Sequence, residues 1–270
     1  MTVQARLSLA KKHATRAALK LKHFLATLLG LLFFAIGSLI MLLVGFLPGL
    51  PQSGSQTRKQ FANRQRLARL LGHLLAYLRF SGLMQPPSIR GLQHLRVGAR
   101  LIVATHPSLI DSVLLLAMIP NANCVTKSAL WRNPITALPL RALGYIRNDS
   151  KDLIDQCAAS LRSGNPLIIF PEGTRSIPGQ PLRLLRGSAH IAITANVGIT
   201  PVIIHCEPRV FGKDQSWFAA PQTAPLFSLE VYPEIAIEPY LASGQPRSKT
   251  ARWLTRDLEV FFSRHYTGPE

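Results

Sequence analysis

The residues of this chain best suited to chemistry are a histidine and an aspartate that lie close together in the sequence. His106 and Asp111 form a His-x4-Asp motif just after the apolar run Leu101–Ala104. An imidazole binds its proton near neutral pH, and a carboxylate bonded to one ring nitrogen fixes the tautomer and leaves the other nitrogen as a base. The motif therefore predicts a base that takes a proton from an alcohol. The substrate alcohol would take the place that the serine has in a catalytic triad.

The same motif has two other interpretations. A histidine with a carboxylate partner is often structural, and a His-x4-Asp spacing arises frequently by chance. Ser108, which lies between the two residues, is a candidate nucleophile. However, it lacks the Gly-x-Ser-x-Gly elbow that exposes a nucleophilic serine at a strand end.

A second motif, Phe-Pro-Glu-Gly-Thr-Arg-Ser, occupies residues 170–176 and follows the apolar run Leu167–Ile169. Gly173 lets the backbone pass close to a ligand, and the guanidinium of Arg175 can bind a phosphate through two hydrogen bonds. Glu172 either binds acceptor hydroxyl groups or holds the loop. The alternative for the whole motif is a structural turn with a surface ion pair.

Short strands that alternate with helices predict an α/β fold. The predicted class is a mixed, mostly parallel central sheet flanked by helices and preceded by an N-terminal membrane-embedded helical segment. Both motifs follow buried strands, so we expect them at the same edge of this sheet. The predicted strands are Leu101–Ala104, Cys124–Thr126, Pro166–Phe170, Thr200–His205 and Phe227–Ile237, and the predicted helices are Asp111–Ile119, Ser150–Ser163, Gly187–Asn196 and Arg247–Tyr266.

The composition favours a membrane-associated protein with anionic partners. The chain has 270 residues, a net charge of +18 and 47% hydrophobic residues. No nucleic-acid recognition motif is present and aromatic residues do not alternate with the basic runs, so we expect no nucleic-acid partner. The three cysteines, Cys124, Cys157 and Cys206, show no Cys-x-x-Cys spacing, which predicts free thiols in a reducing compartment and no metal site.

The N-terminal part predicts a membrane segment. Phe24–Leu47 contains no charged residue, is long enough to cross a bilayer and ends without a signal-peptide cleavage site. Basic residues lie on both sides of it, so the positive-inside rule gives no clear orientation. A single span and a re-entrant hairpin that ends at the turn Pro48–Pro51 both fit.

We divide the chain into a basic segment (1–23), a membrane helix or hairpin (24–51), a basic amphipathic helix (52–85) and a catalytic domain (86–270). Leucines recur at three- and four-residue steps through residues 67–78, with arginines in the same helix. This helix either packs its apolar side on the core or lies on anionic lipid with its arginines at the phosphates.

Together, the motifs resemble the glycerolipid acyltransferase family, whose best-known members acylate 1-acylglycerol-3-phosphate. His106 and Asp111 match the first family block, residues 170–176 match the third without substitution, and Pro201-Val202 matches the fourth. Lys127 matches a Lys-x-x-Leu stretch of the family. The resemblance extends from about Gly91 to Glu207.

The resemblance implies that His106 is the general base and that Asp111 orients it. It also implies a substrate-binding set, which consists of Lys127, Arg147, Glu172, Gly173, Thr174 and Arg175. In the family a phosphate-binding arginine aligns near position 150, where this chain has Ser150, and Arg147 is the nearby substitute. Many members have asparagine where this chain has Thr105.

The expected activity is therefore transfer of a fatty acyl group from acyl carrier protein or coenzyme A to the hydroxyl of a lysophospholipid. The thioester is a co-substrate, and no cofactor or metal is expected. The expected location is a bacterial-type inner membrane with the catalytic domain on the cytoplasmic side. The alternatives are an acyltransferase for a different lipid acceptor, such as an aminolipid or a polyene-type lipid, and a non-catalytic lipid-binding protein.

Overall fold

The computed structural model of the chain describes residues 14, 17–18, 20–33, 35–37, 39, 56–95, 100–177, 179–213, 215–216, 218, 221 and 223–266. Most of the basic segment 1–23 and the predicted turn Pro48–Pro51 lie outside these residues. The choice between a single span and a hairpin therefore stays a prediction.

The described residues form helices and strands in alternation. The helices are α1 (Lys20–Gly37), α2 (Gln56–Phe80), α3 (Ile110–Met118), α4 (Ala129–Arg132), α5 (Pro134–Leu143), α6 (Leu153–Arg162), α7 (Gly187–Ala195), α8 (Glu238–Leu241) and α9 (Arg247–His265). The strands are β1 (Ser88–Arg90), β2 (Leu101–Ala104), β3 (Asn123–Thr126), β4 (Ile146–Arg147), β5 (Leu167–Ile169), β6 (Ile199–Glu207) and β7 (Leu226–Val231). A short 3-10 turn, Leu92–Leu95, follows β1.

The strands form one mixed sheet of seven strands in the order β1-β7-β6-β2-β5-β3-β4. All neighbouring pairs are parallel except β6 and β7, which are antiparallel. The predicted class of a mostly parallel sheet flanked by helices is confirmed. The carboxyl ends of β2, β3, β4 and β5 therefore lie along the same edge of the sheet.

Several element boundaries differ from those expected, and three of these differences have a clear local reason. The hydroxyl of Ser150 accepts a bond from Gln156 and does not cap a helix, so α6 begins at Leu153. Asn196 takes the left-handed conformation (φ 55°) and ends α7 two residues before Gly198. The last strand ends at Val231, before the proline that was expected to interrupt it.

The sheet is covered on both faces, as its continuous apolar strands require. Alternate residues along the strands enter two separate cores. The core on the side of α2 and α3 contains Ile102, Ala104, Ile168, Val202 and Ile204. The core on the side of α6, α7 and α9 contains Leu101, Val103, Leu167, Ile199 and Ile203.

The long helix α2 packs its apolar side on the body of the protein. Leu67, Leu71, Leu74 and Leu78 are buried along one side of the helix. The amide of Asn63 also donates to the carbonyl of Ala142 at 3.0 Å, at the end of α5. The prediction that this helix packs its apolar side on the core is therefore confirmed.

Helix α1 lies antiparallel against α2. The Tyr77 hydroxyl of α2 donates to the carbonyl of Ala26 at 2.8 Å, and a side chain at Gly30 would meet the Tyr77 ring. A side chain at Gly37 would meet Leu70, which lies earlier in α2. These small residues let the two helices approach closely.

The other side of α1 is apolar and exposed. Its exposed large residues are Leu21, Phe24, Leu25, Leu28, Leu29, Leu32, Phe33 and Ile36. Among the described residues, α1 is the one helix that is long and apolar enough to cross a membrane by length and composition, with a mean hydropathy of 1.5. A row of exposed apolar side chains of this size is typical of a surface that meets another apolar phase.

The three cysteines are buried free thiols, as predicted from their spacing. Burial raises the pKa of Cys124, of Cys157 and of Cys206 to about 12. They are therefore neutral at physiological pH and poor nucleophiles.

Thr105 fastens the end of β2 to β6. Its buried hydroxyl accepts from the amide of Ile204 at 2.7 Å and donates to the carbonyl of the same residue at 3.1 Å. Thr105 thus has a structural role in this chain.

We expect T105V to destabilise the protein by about 1–3 kcal/mol, because the buried amide of Ile204 loses its acceptor. The measurement is urea unfolding followed by circular dichroism. T255V is the matched control, since the Thr255 hydroxyl is also buried but only donates to the helical carbonyl of Ala251. Equal effects of the two variants would contradict a special role for Thr105.

Candidate active site

Both sequence motifs lie at the carboxyl edge of the sheet, on neighbouring strands. β2 leads into His106 and β5 leads into Glu172, and the two strands pair with Val103 opposite Ile169. Lys127 follows β3, and Arg147 ends β4. The fold therefore places every predicted site residue along one edge.

His106 and Asp111 form the predicted hydrogen-bonded pair. Nδ1 of His106 lies 3.0 Å from Oδ2 of Asp111, in the first turn of α3. The same carboxylate oxygen accepts from the amide of Ser108 at 2.6 Å. Because a carboxylate accepts, Nδ1 carries the hydrogen and Nε2 is left with a lone pair that can take a proton.

Asp111 is fully buried, and its other oxygen, Oδ1, makes no hydrogen bond to any described residue. Burial raises the pKa of Asp111 to about 6, against the bond from His106, which lowers it. A buried carboxylate of this kind is ionised at neutral pH and becomes neutral in mild acid. It can therefore stabilise an imidazolium in His106 only above that range.

The imidazole of His106 is held on its face as well as at its edge. Its ring stacks on Phe170 with a centroid distance of 4.1 Å and an interplanar angle of 21°. The side chain keeps 15% exposure. Phe170 is the first residue of the second motif, so each motif contributes to the orientation of the base.

Glu172 joins the two motif loops. Its Oε1 accepts from the backbone amide of His106 at 3.0 Å and from the hydroxyl of Ser176 at 2.9 Å. The amide of Ser176 in turn donates to the carbonyl of His106 at 2.8 Å. Of its two predicted roles, holding the loop is the one these contacts show. Burial raises the pKa of Glu172.

Arg175 connects the second motif to a more distant loop. Its Nη1 donates to the carbonyls of Phe211 at 2.6 Å and Gly212 at 3.0 Å. Phe211 adopts a left-handed conformation (φ 53°), and its carbonyl also accepts from the amide of Leu109 at 3.4 Å. The described residues take no hydrogen bond from Nε or Nη2 of Arg175, so the guanidinium keeps donors for a ligand.

Gly173 and Thr174 lie in the loop between Glu172 and Arg175, whose side chains are both held by hydrogen bonds. Gly173 has φ 68°, and a Cβ atom there would lie 2.7 Å from Leu185. Thr174 lines a cleft of about 610 Å³ between the motif loop and the end of α9. Glu172, Arg175 and Ser176 line the same cleft, so the second motif forms one of its walls.

Lys127 and Arg147 lie farther from the base. Adjacent strands are about 4.8 Å apart, which puts the end of β3 about 10 Å and the end of β4 about 14 Å from β2. Lys127 is exposed. The guanidinium of Arg147 is held by Asp149 through two hydrogen bonds of 3.0 and 2.9 Å. The side chain of Arg147 is therefore paired with Asp149, and Lys127 lies one strand nearer to His106 than Arg147 does.

Ser108 does not have the environment of a nucleophile. It is fully buried, and its hydroxyl oxygen accepts from the amide of Ile110 at 3.3 Å. The amides of residues 108, 109, 110 and 111 all donate to protein acceptors. The start of α3 thus has neither an exposed hydroxyl nor these amides available for a reacting group.

Two parts of the site carried no signal in the sequence. The carbonyls of Phe211 and Gly212 bind Arg175 through their backbone, and a backbone acceptor leaves no residue pattern. Tyr266 lines the cleft from the end of α9, a long way along the chain from either motif. The spacing of apolar residues predicted that helix, but it did not predict that the end of the helix would lie beside the second motif.

Part of the chain is similar in sequence to known acyltransferases. Residues 87–205 match the family model described as Acyltransferase. Over 124 residues the chain is 34% identical to a 1-acyl-sn-glycerol-3-phosphate acyltransferase of Helicobacter pylori, and over 150 residues it is 30% identical to one of Limnanthes douglasii. These matches cover 43% and 52% of this chain and 52% and 53% of the relatives, so the chain spans about half the length of the curated relatives it matches.

The fold has a solved counterpart. The crystal structure of the 1-acyl-sn-glycerophosphate (LPA) acyltransferase PlsC from Thermotoga maritima superposes with a TM-score of 0.66 and 18% identity, over 92% of this chain and 98% of that one. Residues 87–205 are thus similar in sequence to the acyltransferase family, and the superposition shows that the chain shares the fold of PlsC.

We expect D111N to lower the turnover number at least 100-fold, because an amide does not stabilise the imidazolium of His106. Burial raises the pKa of Asp111 to about 6 from an ordinary value of 3.8. The folded protein therefore binds the proton of the Asp111 carboxyl more tightly than the unfolded chain does. Protonated Asp111 favours the folded state at low pH, and this contribution to the free energy of unfolding is lost as the pH rises through 6.

D111N removes that ionisation, so its melting temperature should equal or exceed that of the wild type at pH 8, with the difference shrinking towards pH 4. Thermal scans at both pH values and acyl-transfer assays measure the two effects. The control is D155N, an exposed position on α6. If D111N were inactive and also less stable than the wild type at pH 8, the interpretation of Asp111 as a carboxylate destabilised by its burial would be wrong.

Proposed function

We propose that this protein is a membrane-bound O-acyltransferase that moves a fatty acyl group from a thioester to the hydroxyl of a lysophospholipid. The preferred acceptor is 1-acylglycerol-3-phosphate, and the product is phosphatidic acid. The donor is an acyl thioester of acyl carrier protein or of coenzyme A. The observation that supports this most directly is the pair of His106 and Asp111 at 3.0 Å, next to a cleft with guanidinium and hydroxyl donors.

The proposed reaction needs no acyl-enzyme. Nε2 of His106 takes the proton from the acceptor hydroxyl while its oxygen attacks the thioester carbon. Asp111 stabilises the imidazolium that results. The tetrahedral intermediate then breaks its carbon–sulfur bond, and the imidazolium returns the proton to the departing thiolate. The products are an ester and a free thiol, and no metal or cofactor takes part.

The intermediate carries a negative oxygen that needs hydrogen-bond donors. The amides of Thr174 and Arg175 donate to no acceptor within the described residues. They lie in the loop from Glu172 to Ser176, and both of these residues form hydrogen bonds with the backbone of His106. This position next to the base makes them the proposed oxyanion donors.

The phosphate of the acceptor is proposed to bind between Arg175 and Lys127. Arg175 has donors left at Nε and Nη2 after it binds the Phe211 and Gly212 carbonyls. Lys127 approaches from the neighbouring strand end. Arg147 takes no part in this arrangement, because Asp149 holds it.

The proposed membrane contact is the exposed apolar side of α1. Leu29 and Ile36 are 56% and 55% exposed and lie one heptad apart, on one side of the helix. A substrate that resides in a bilayer requires an enzyme that reaches the bilayer surface. The proposed location is a bacterial-type inner membrane, with the catalytic domain on the cytoplasmic side where acyl thioesters are made.

The activity is tested with purified protein, an acyl thioester and 1-acylglycerol-3-phosphate. H106A should lose at least 100-fold in turnover, since a general base contributes about 10²- to 10⁴-fold. H190A, which alters a histidine of α7 outside the site, is the matched control. Full activity of H106A would reject the mechanism.

The assay includes other hydroxyl acceptors, among them aminolipids and polyene-type lipids. Transfer to one of these but not to 1-acylglycerol-3-phosphate would assign a different acceptor. Lipid binding without transfer from either type of thioester would assign a binding protein instead.

The membrane contact is tested by vesicle sedimentation. The double variant L29D/I36D should lose most of its binding to vesicles that contain anionic phospholipid, because each carboxylate would have to enter the apolar phase. V260D is the matched control, because Val260 is also exposed but lies on α9 over the opposite face of the sheet. Unchanged sedimentation of the double variant would rule out α1 as the anchor.

A further inference from the structure

The three most exposed large apolar side chains of the described residues are those of Phe80, Ile135 and Leu185, which are 93%, 75% and 61% exposed. Each lies near the edge of the sheet that carries the base. The described loops that enter strands from the other edge expose no large apolar side chain; they are residues 119–122, 144–145, 163–166 and 196–198. This difference between the two edges needs a physical reason, because exposed apolar side chains of this size are costly in water.

Ile135 lies on a fixed turn that directly follows β3. The indole of Trp131 in α4 donates to the hydroxyl of Thr126 at 2.9 Å, at the end of the strand. The side chain of Asn133 caps α5 by accepting from the amide of Ile135 at 3.0 Å. Leu130, on the same turn, is also exposed. The structure thus holds two large apolar side chains in water at the end of β3.

Leu185 lies on the segment that follows the second motif. Its amide donates to the carbonyl of Pro171 at 2.8 Å, and a Cβ atom at Gly173 would lie 2.7 Å from its side chain. Ile177 is exposed as well and lines the cleft beside the motif loop. These two apolar side chains therefore lie at the mouth of the cleft.

Phe80 ends α2 near the carboxyl end of β6. After a short turn, the amide of Gln85 donates to the carbonyl of Pro225 at 2.9 Å. The next residue, Leu226, begins β7 opposite Glu207, the last residue of β6. Because β6 is the neighbour of β2, this turn brings Phe80 to the side of the base opposite β5 and β3.

We name the exposed residues Phe80, Leu130, Ile135, Ile177 and Leu185 the apolar rim. Exposed basic residues accompany it along the chain; they are Arg79, Lys127, Arg132, Arg183 and Arg186. Apolar side chains that alternate with cations are typical of a surface that lies on anionic lipid, where the apolar groups enter the acyl region and the cations meet phosphates. An acidic protein would match the cations but would leave the apolar side chains without a matching phase.

We propose that the apolar rim enters the surface of an anionic phospholipid bilayer, so that the carboxyl edge of the sheet faces the lipid. The inference rests on the proposed function and goes beyond the contact made by α1, because it adds a second lipid surface and fixes how the site is turned. Phe80 and Ile135 lie on either side of β2, so His106 lies between two lipid contacts. The acceptor then reaches the base without leaving the bilayer surface.

The first test does not depend on acyl transfer. A polarity-sensitive fluorophore is attached to F80C or to I135C, and the three native cysteines are buried, so the dye labels the introduced thiol. With vesicles of phosphatidylglycerol and phosphatidylethanolamine, the emission of both labelled variants should shift to shorter wavelength, because the dye leaves water. L241C is the matched control and should not shift. Leu241 is also exposed, but α8 follows Ile235, which bridges the first residue of β6 at the other edge.

L29C, on the exposed side of α1, separates this proposal from the contact made by α1. If L29C shifts with vesicles and F80C and I135C do not, the proposal is overturned, whereas the α1 contact and the proposed function stand. A shift of F80C and I135C with an acidic protein such as acyl carrier protein, but not with vesicles, would assign the rim to a protein partner and overturn the proposal too.

The second test uses the double variant F80D/I135D. Its transfer to 1-acylglycerol-3-phosphate in vesicles should fall about 10-fold or more, because each carboxylate resists entry into the apolar phase. Transfer to a short-chain acceptor dissolved as single molecules should change less than about twofold, because both substitutions lie outside the site and leave transition-state binding unchanged. The variant should still sediment with vesicles through α1, and L241D should behave as the wild type.

Equal losses with both acceptors, or no loss with vesicles, would contradict the proposal. If the wild type transfers no acyl group to either acceptor while F80C and I135C shift with vesicles, the proposed function fails and the lipid contact of the apolar rim stands.

Discussion

The site depends on one carboxylate, that of Glu172, which holds two loops from neighbouring strands together. It accepts the amide of His106 on one side and the hydroxyl of Ser176 on the other. Without it, the loop after β2 and the loop after β5 would have few direct bonds between them. The ring of His106 also stacks on Phe170, so the two loops meet at the base. A residue that the sequence suggests as a ligand is thus first of all a structural brace.

Burial gives the same site its chemical character. Asp111 lies beneath the histidine without access to solvent, with one oxygen bonded twice and the other not bonded to any described residue. The folded protein therefore contains an ionised carboxylate, that of Asp111, in a buried site where burial destabilises its charged form. Such a carboxylate attracts the positive charge that appears on His106 during proton transfer more strongly than an exposed one would. The local instability and the proposed catalytic role therefore have the same physical cause.

The sequence predicted those parts of the molecule that rest on short-range pattern. The apolar runs before His106 and Glu172 marked β2 and β5, and the edge of a parallel sheet brought the two motifs together, as expected. Arg147 lies at the strand end where a cation was predicted, but its pairing with Asp149, two residues later, is a contact that the strand pattern did not predict. Arg175 and Tyr266 show another limit, since their partners or positions depend on segments that meet only in the folded chain. Ser150 did not cap α6, because its side chain bonds Gln156 instead.

The cleft has walls from two different parts of the chain. The motif loop that holds the base forms one wall, and the end of α9 forms the other. The catalytic pair makes its bonds to residues 108, 111, 172 and 176, and none of these lies in α9. In the proposed reaction, substitutions in the last turn of this helix would change the wall of the cleft and leave the bonds of the base in place. Under the proposed function, this division would allow related chains to differ in their acceptor through one terminal helix and to keep the same base.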